Sequence, residues 1–309
     1  MEKLNTIFHI GFPKTGTTWF QYDFFPYIEN AFFLPRAEFL RPLLMQKDPF
    51  SFNKVFVQKE LQERFIRSQK KVLVLSDEGF LARNLFFIKD FAYRIKSVCP
   101  NSQIIIFIRN QENMLASMYS QYIKSNGGTY SLKRYLFGHP KMTEMTNSIS
   151  FHTMKLLRYD QIIKLYNNLF GKENVHIFLF EDFTKDPKLF CQNLSKQFDF
   201  EINLEYLSYN KKNKGLRSGL ILLQRFLNCF TANWRYEKYY IVHIPNFHKI
   251  TFHIIRLLNQ FRIFGNSIKI KKLLNETQYN AVLDYYKESN RKLIEEHGLK
   301  DIEKYGYPL

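Results

Sequence analysis

Thr6-Ile-Phe-His-Ile-Gly-Phe-Pro-Lys-Thr-Gly-Thr-Thr-Trp-Phe20 is an apolar run that enters a glycine-bounded loop and leaves it at a helix start. Its β-branched and aromatic residues predict a strand, and the sequence after Gly16 predicts a helix N-terminus. The first backbone N–H groups of a helix have no intrahelical acceptor, and the aligned peptide dipoles add partial positive charge there. The segment is therefore predicted to cradle an anion, phosphate-like groups above all. Gly11 and Gly16 give the tight turn, and Thr17 and Thr18 bring hydroxyls to the first helical turn.

The spacing Gly11-x-x-x-x-Gly16-Thr17-Thr18 is that of a P-loop, with one change. Thr17 stands where a nucleoside triphosphatase carries its lysine, and a lysine sits inside the loop instead, at Lys14. A triphosphatase needs its lysine on the β- and γ-phosphates and a hydroxyl on Mg²⁺. The loop is built for a different anion. Pro13-Lys14-Thr15-Gly16-Thr17-Thr18-Trp19 resembles the 5′-phosphosulfate loop of the sulfotransferase family, whose signature reads P-K-T/S-G-T-T/S-W.

A second segment agrees. Residues 103–108 are almost wholly apolar and rich in isoleucine, the pattern of a strand buried on both faces. Arg109 ends the run, and an amphipathic helix is predicted from Met114 onward. A Walker B strand would end in an aspartate for Mg²⁺. In the family, an arginine at this strand end and a serine eight residues on hold the 3′-phosphate of 3′-phosphoadenosine 5′-phosphosulfate (PAPS). Arg109 and Ser117 stand at that spacing, and a guanidinium fork with a hydroxyl suits a phosphate.

Residues 72–75 read as another buried strand, followed by Ser76-Asp77-Glu78-Gly79. Ligands of open α/β sheets bind outside the carboxyl ends of strands, and sulfuryl transfer to a hydroxyl needs a base there. The family's glycan enzymes place a glutamate near this strand end, which implies Glu78, with Asp77 second. Either carboxylate could instead cap the following helix. Small-molecule members use a loop histidine, for which His139 is the counterpart. Residues 175–180 form a fourth strand signal, and the Glu181-Asp182-Phe183…Asp186-Pro187 turn after it reads as scaffold. The basic loop at residues 210–219 resembles the family's late loop over the 3′-phosphate, making Lys214, Gly215 and Arg217 further candidates.

The expected fold is α/β: a P-loop-like three-layer arrangement with a central parallel sheet of about four to five strands flanked by helices. A single domain over 1–309 is expected, with a helical, basic and aromatic insertion at about 220–268. That insertion either packs on the core to shape the acceptor site or rests in a bilayer interface. The C-terminal Ser289-Asn290…Tyr305-Gly306-Tyr307-Pro308 resembles the ending of bacterial sulfotransferases and reads as a structural closing helix pair.

The net charge of +17 favours anionic partners. No nucleic-acid motif is present, so a glycan or glycolipid acceptor and a polyanionic nucleotide are expected rather than nucleic acid. Cys99, Cys191 and Cys229 are far apart and read as reduced thiols. His243, His248 and His253, five apart, share no helix face, so no metal is expected. The first strand begins within six residues and no apolar stretch is long enough to span a bilayer. The expectation is a cytoplasmic bacterial enzyme, with peripheral contact at the inner face of the membrane through 220–268. It would use PAPS as co-substrate and release 3′-phosphoadenosine 5′-phosphate (PAP). The alternatives are a P-loop kinase-like phosphotransferase and an inactive glycan- or membrane-binding protein on the same fold.

Overall fold

Five short apolar runs become the strands of one all-parallel sheet: β1 Thr6–His9, β2 Ala31–Leu34, β3 Val72–Ser76, β4 Gln103–Ile108 and β5 Val175–Leu179. Their spatial order is β2-β3-β1-β4-β5. The structure is a computed structural model and describes residues 5–34, 43–44, 48–82, 85–138, 154–209, 215–232 and 238–309. The chain divides into two compact units, one of residues 1–109 with 159–210 and the other of 110–158 with 211–309.

The first unit holds the whole sheet. Side chains alternate across a strand, so every second residue shares a face. Ile7, Val72, Val74, Ile105 and Phe107 face a layer made of Trp19, Phe20, Phe24, Phe25, Phe183, Cys191, Leu194 and Phe198. Phe20 packs on Phe107 at 4.7 Å between ring centres. On the opposite face Phe8 meets Phe80 at 6.2 Å, and Phe80 meets Phe91 of the helix Leu85–Val98. Edge strand β2 was the one strand without a clear signal, being only four residues of Ala-Phe-Phe-Leu. The strand predicted to 180 ends at Leu179, because Phe180–Lys185 is already helical.

Strand order fixes where a ligand can bind. The chain leaves β1 toward β3 and later leaves β4 toward β5, so the carboxyl ends of β1 and β4 flank a switch point. The loop after β1 and Arg109 after β4 meet there. Burial pushes the thiols of Cys99 and Cys191 up to about 12, so both stay protonated; Cys229 is half-buried.

The second unit is helical. Asn110 caps the helix Gln111–Lys124 through its side chain. A single turn, Ile270–Lys272, precedes the 22-residue helix Glu276–His297. Asn275 sets that start with a reciprocal capping box to Gln278. The closing helix pair is accordingly this one long helix and a short turn, Lys300–Ile302. Buried Asn290 exchanges hydrogen bonds with Gln111 and donates to the Pro308 carbonyl, which fastens the C-terminus.

Candidate active site

The loop after β1 is shaped by two glycines for two different reasons. A Cβ on Gly11 would stand 2.6 Å from His9 Nε2 and 3.0 Å from Thr17 Cγ2, so the backbone passes too close for any side chain. Gly16 has φ +80, a left-handed conformation that costs L-residues energy. Lys14 also adopts φ 69 despite its side chain. Strain of this kind persists only where surrounding contacts enforce it. Thr15 supplies one such contact: its buried hydroxyl donates to the Phe12 carbonyl at 2.6 Å. Its hydroxyl proton is thus committed to the loop itself.

The first helical hydrogen bond runs from Trp19 N–H to the Gly16 carbonyl at 2.8 Å. The N–H groups of Gly16, Thr17 and Thr18 precede it, where a helix presents donors to an anion. Thr17 is buried and Thr18 exposed. Trp19 is packing: its Nε1 donates to the Ser208 carbonyl at 2.7 Å, and its ring stacks on Tyr209.

Arg109 reaches this loop. Its Nη1 donates to the Lys14 carbonyl at 3.0 Å, and its guanidinium rests over the Phe180 ring at 5.0 Å. Tyr159 Oη donates to the Arg109 carbonyl at 2.6 Å, and burial pushes that phenol far above its ordinary value, keeping it a neutral donor. Two cationic residues 95 positions apart in sequence therefore share one end of the sheet.

The carboxylates stand beside them at the end of β3. Asp77 is fully buried, and its Oδ1 accepts from Gly79 N–H at 2.8 Å. Glu78 is only half-buried, and its Oε2 accepts from Gln21 Nε2 at 3.0 Å. Gln21 was not singled out from the sequence. Its one signal was a polar residue set among Trp19, Phe20, Phe24 and Phe25. It sits in the π-helical turn Phe20–Phe24, a distortion frequent at functional sites, and it also donates to Ser76 Oγ.

His9 completes the buried row, with Nδ1 2.7 Å from Ser76 Oγ and the ring against Phe20, Phe25 and Phe107. Burial lowers it from its ordinary value to about 3, against a weaker upward pull from Glu78. The unfolded chain takes up a proton near pH 6.5 that the folded chain refuses, so stability is lost as pH falls. Between roughly pH 7.5 and 5.5 this one group should remove about 1.4 kcal/mol. Urea unfolding at the two values should show that loss in the wild type beyond any in His9→Asn. Equal losses in both would contradict it.

The remaining candidates lie in the second unit or outside the described residues. Ser117 is half-buried on the helix Gln111–Lys124. Arg217 donates from Nε to the Asn259 carbonyl and from Nη1 to the Gly265 carbonyl, while Gly215 accepts from Asn259 Nδ2. Lys214 and His139 fall outside the described residues. Among the described residues no group of three or more His, Cys, Asp or Glu could hold a metal ion.

Solved structures share this architecture. A sulfotransferase from Alicyclobacillus acidocaldarius aligns at 16% identity with a TM-score of 0.50, covering 69% of this chain and 87% of its own. The sulfotransferase domain from the curacin biosynthetic pathway aligns at 14% identity, TM-score 0.45, over 92% and 98%. A mouse sulfotransferase complexed with PAP aligns at 13% identity, TM-score 0.42, over 93% and 85%. The sequence matches no family model and no curated protein.

Proposed function

We propose that this chain, which carries the sulfotransferase fold, moves a sulfuryl group from PAPS to a hydroxyl of a glycan or glycolipid. The observation that carries the reading is the meeting of Arg109 with the Lys14 loop at one end of the sheet. A cradle in which Gly11 leaves no room for a Cβ and Gly16 turns left-handed, N–H groups at a helix start and two cations form a donor set suited to phosphates. PAPS supplies, when bound, a sulfuryl group activated by its bond to a phosphate leaving group.

Thr15, Gly16, Thr17 and Thr18 hold the 5′-phosphate, chiefly through backbone N–H groups, with Pro13 and Trp19 fixing the loop. Arg109 neutralises the 3′-phosphate, with the Ser117 hydroxyl, and Lys214, Gly215 and Arg217 belong to the loop assigned to the same phosphate. Lys14 meets the charge that develops on the departing phosphate oxygen. Glu78 accepts the acceptor proton as the new S–O bond forms, held in place by Gln21. Asp77 is the poorer base because it is fully buried and one oxygen already caps Gly79.

Transfer is direct and in line, and it is tested with ³⁵S-labelled PAPS and a panel of glycans and glycolipids. Label retained on an acceptor, with stoichiometric release of PAP, is expected. Transfer of ³²P from labelled ATP–Mg instead would establish the kinase-like alternative. No transfer from either donor, with PAP still bound, would establish the inactive binding protein.

A further inference from the structure

The helix Phe247–Leu258 is amphipathic in the reverse sense to a core helix. At about 100° per residue, Ile250, Ile254 and Leu257 fall on one stripe roughly 60° wide. That stripe faces outward: the three residues are 57%, 48% and 60% exposed. Buried Thr251 and Ile255 occupy the other side and pin the helix to its unit. Lys249 and Arg256, both exposed, sit together about 110° round from the stripe.

The neighbouring elements continue the pattern. The helix Leu220–Asn228 packs against this one and exposes Leu222, Leu223 and Phe226 while burying Leu220, Ile221 and Gln224. Ile241 and Ile244 are exposed on a strap whose N–H groups bond the Cys229 and Phe230 carbonyls. Phe261 and Ile263 are exposed beyond the helix end, with Arg262 between them. Scattered exposed apolar residues are ordinary, but this many on elements that pack together mark an interaction surface. Charge selects the partner. No Asp or Glu occurs between Glu237 and Glu276, whereas Lys249, Arg256, Arg262, Lys269, Lys271 and Lys272 are all exposed there.

We infer that this face docks on an anionic phospholipid bilayer, with the Ile250, Ile254 and Leu257 stripe entering the acyl boundary and the flanking cations on the headgroups. A second copy of the chain fits less well, because an isologous contact would set these cations against themselves with no acid to pair. Among the described residues no helix is long and apolar enough to cross a membrane, so the contact is interfacial. The inference stands apart from the reaction and does not depend on it.

The test is flotation of the full chain with phosphatidylcholine vesicles, with and without phosphatidylglycerol. Each cation near the surface is worth about fivefold in partitioning, so Lys249, Arg256 and Arg262 together should favour the anionic vesicles on the order of 100-fold at low salt. Ile254→Asp with Leu257→Asp should abolish flotation, and Lys249→Glu with Arg256→Glu should erase the lipid preference. All positions are exposed, so the thermal midpoint of each variant should stay at the wild-type value. Wild-type protein that does not float, or variants that float equally well, would overturn the inference. A concentration-dependent dimer that Leu257→Asp dissolves would overturn it too, by assigning the face to a second copy.

Discussion

Lys14→Ala should lower sulfuryl transfer by about 100- to 1,000-fold while leaving PAP affinity within roughly tenfold of wild type. The asymmetry follows from when the charge appears. On the proposed reading, the ground-state 5′-phosphate is shared among backbone N–H groups, and one lysine is a small part of that set. As the S–O bond breaks, negative charge grows on the departing oxygen, and a nearby cation then contributes most. The substitution adds no backbone strain, because lysine already tolerates φ 69 and alanine meets the same Cβ clash there. Lys14→Arg should restore the charge but only part of the rate, since a planar fork does not place its charge where an ammonium does. Equal losses of turnover and PAP affinity in Lys14→Ala would move the residue from catalysis to binding.

Glu78→Gln should reduce turnover by about 100-fold or more with PAP affinity unchanged. The amide keeps the size of the side chain and can still accept from Gln21 Nε2, so the local packing survives. What it loses is the ability to take a proton from the acceptor hydroxyl. Asp77→Asn should instead act mainly on folding, because its carboxylate is buried and caps Gly79. Turnover near wild type in Glu78→Gln would place the base elsewhere.

The sheet was legible where a strand is buried on both faces: β1, β3 and β4 are mostly apolar runs, each followed by candidate site residues. β2 was not, because four residues at an edge give no period to read. Of the site, the loop was legible through its glycine and proline spacing, since backbone conformation constrains sequence directly. The choice between Asp77 and Glu78 was not, because adjacent residues have the same chemistry and differ only in burial. Gln21 escaped for a related reason: its partner Glu78 lies fifty-seven positions away, and nothing local records that hydrogen bond. The outward stripe of the helix Phe247–Leu258 was half legible. Its periodicity is in the sequence, but whether Ile255 or Ile254 faces inward is decided by tertiary packing.

The proposed reaction rests on one claim: the Lys14 loop and Arg109 bind one doubly phosphorylated adenosine. Isothermal titration of the wild-type chain with PAP and, separately, with ATP–Mg tests it most directly, with Arg109→Ala as the control. The account predicts tight one-to-one binding of PAP, much weaker binding of ATP–Mg, and a loss of PAP affinity on the order of 10- to 100-fold in Arg109→Ala. Tighter binding of ATP–Mg than of PAP, or PAP affinity unchanged by Arg109→Ala, would contradict it.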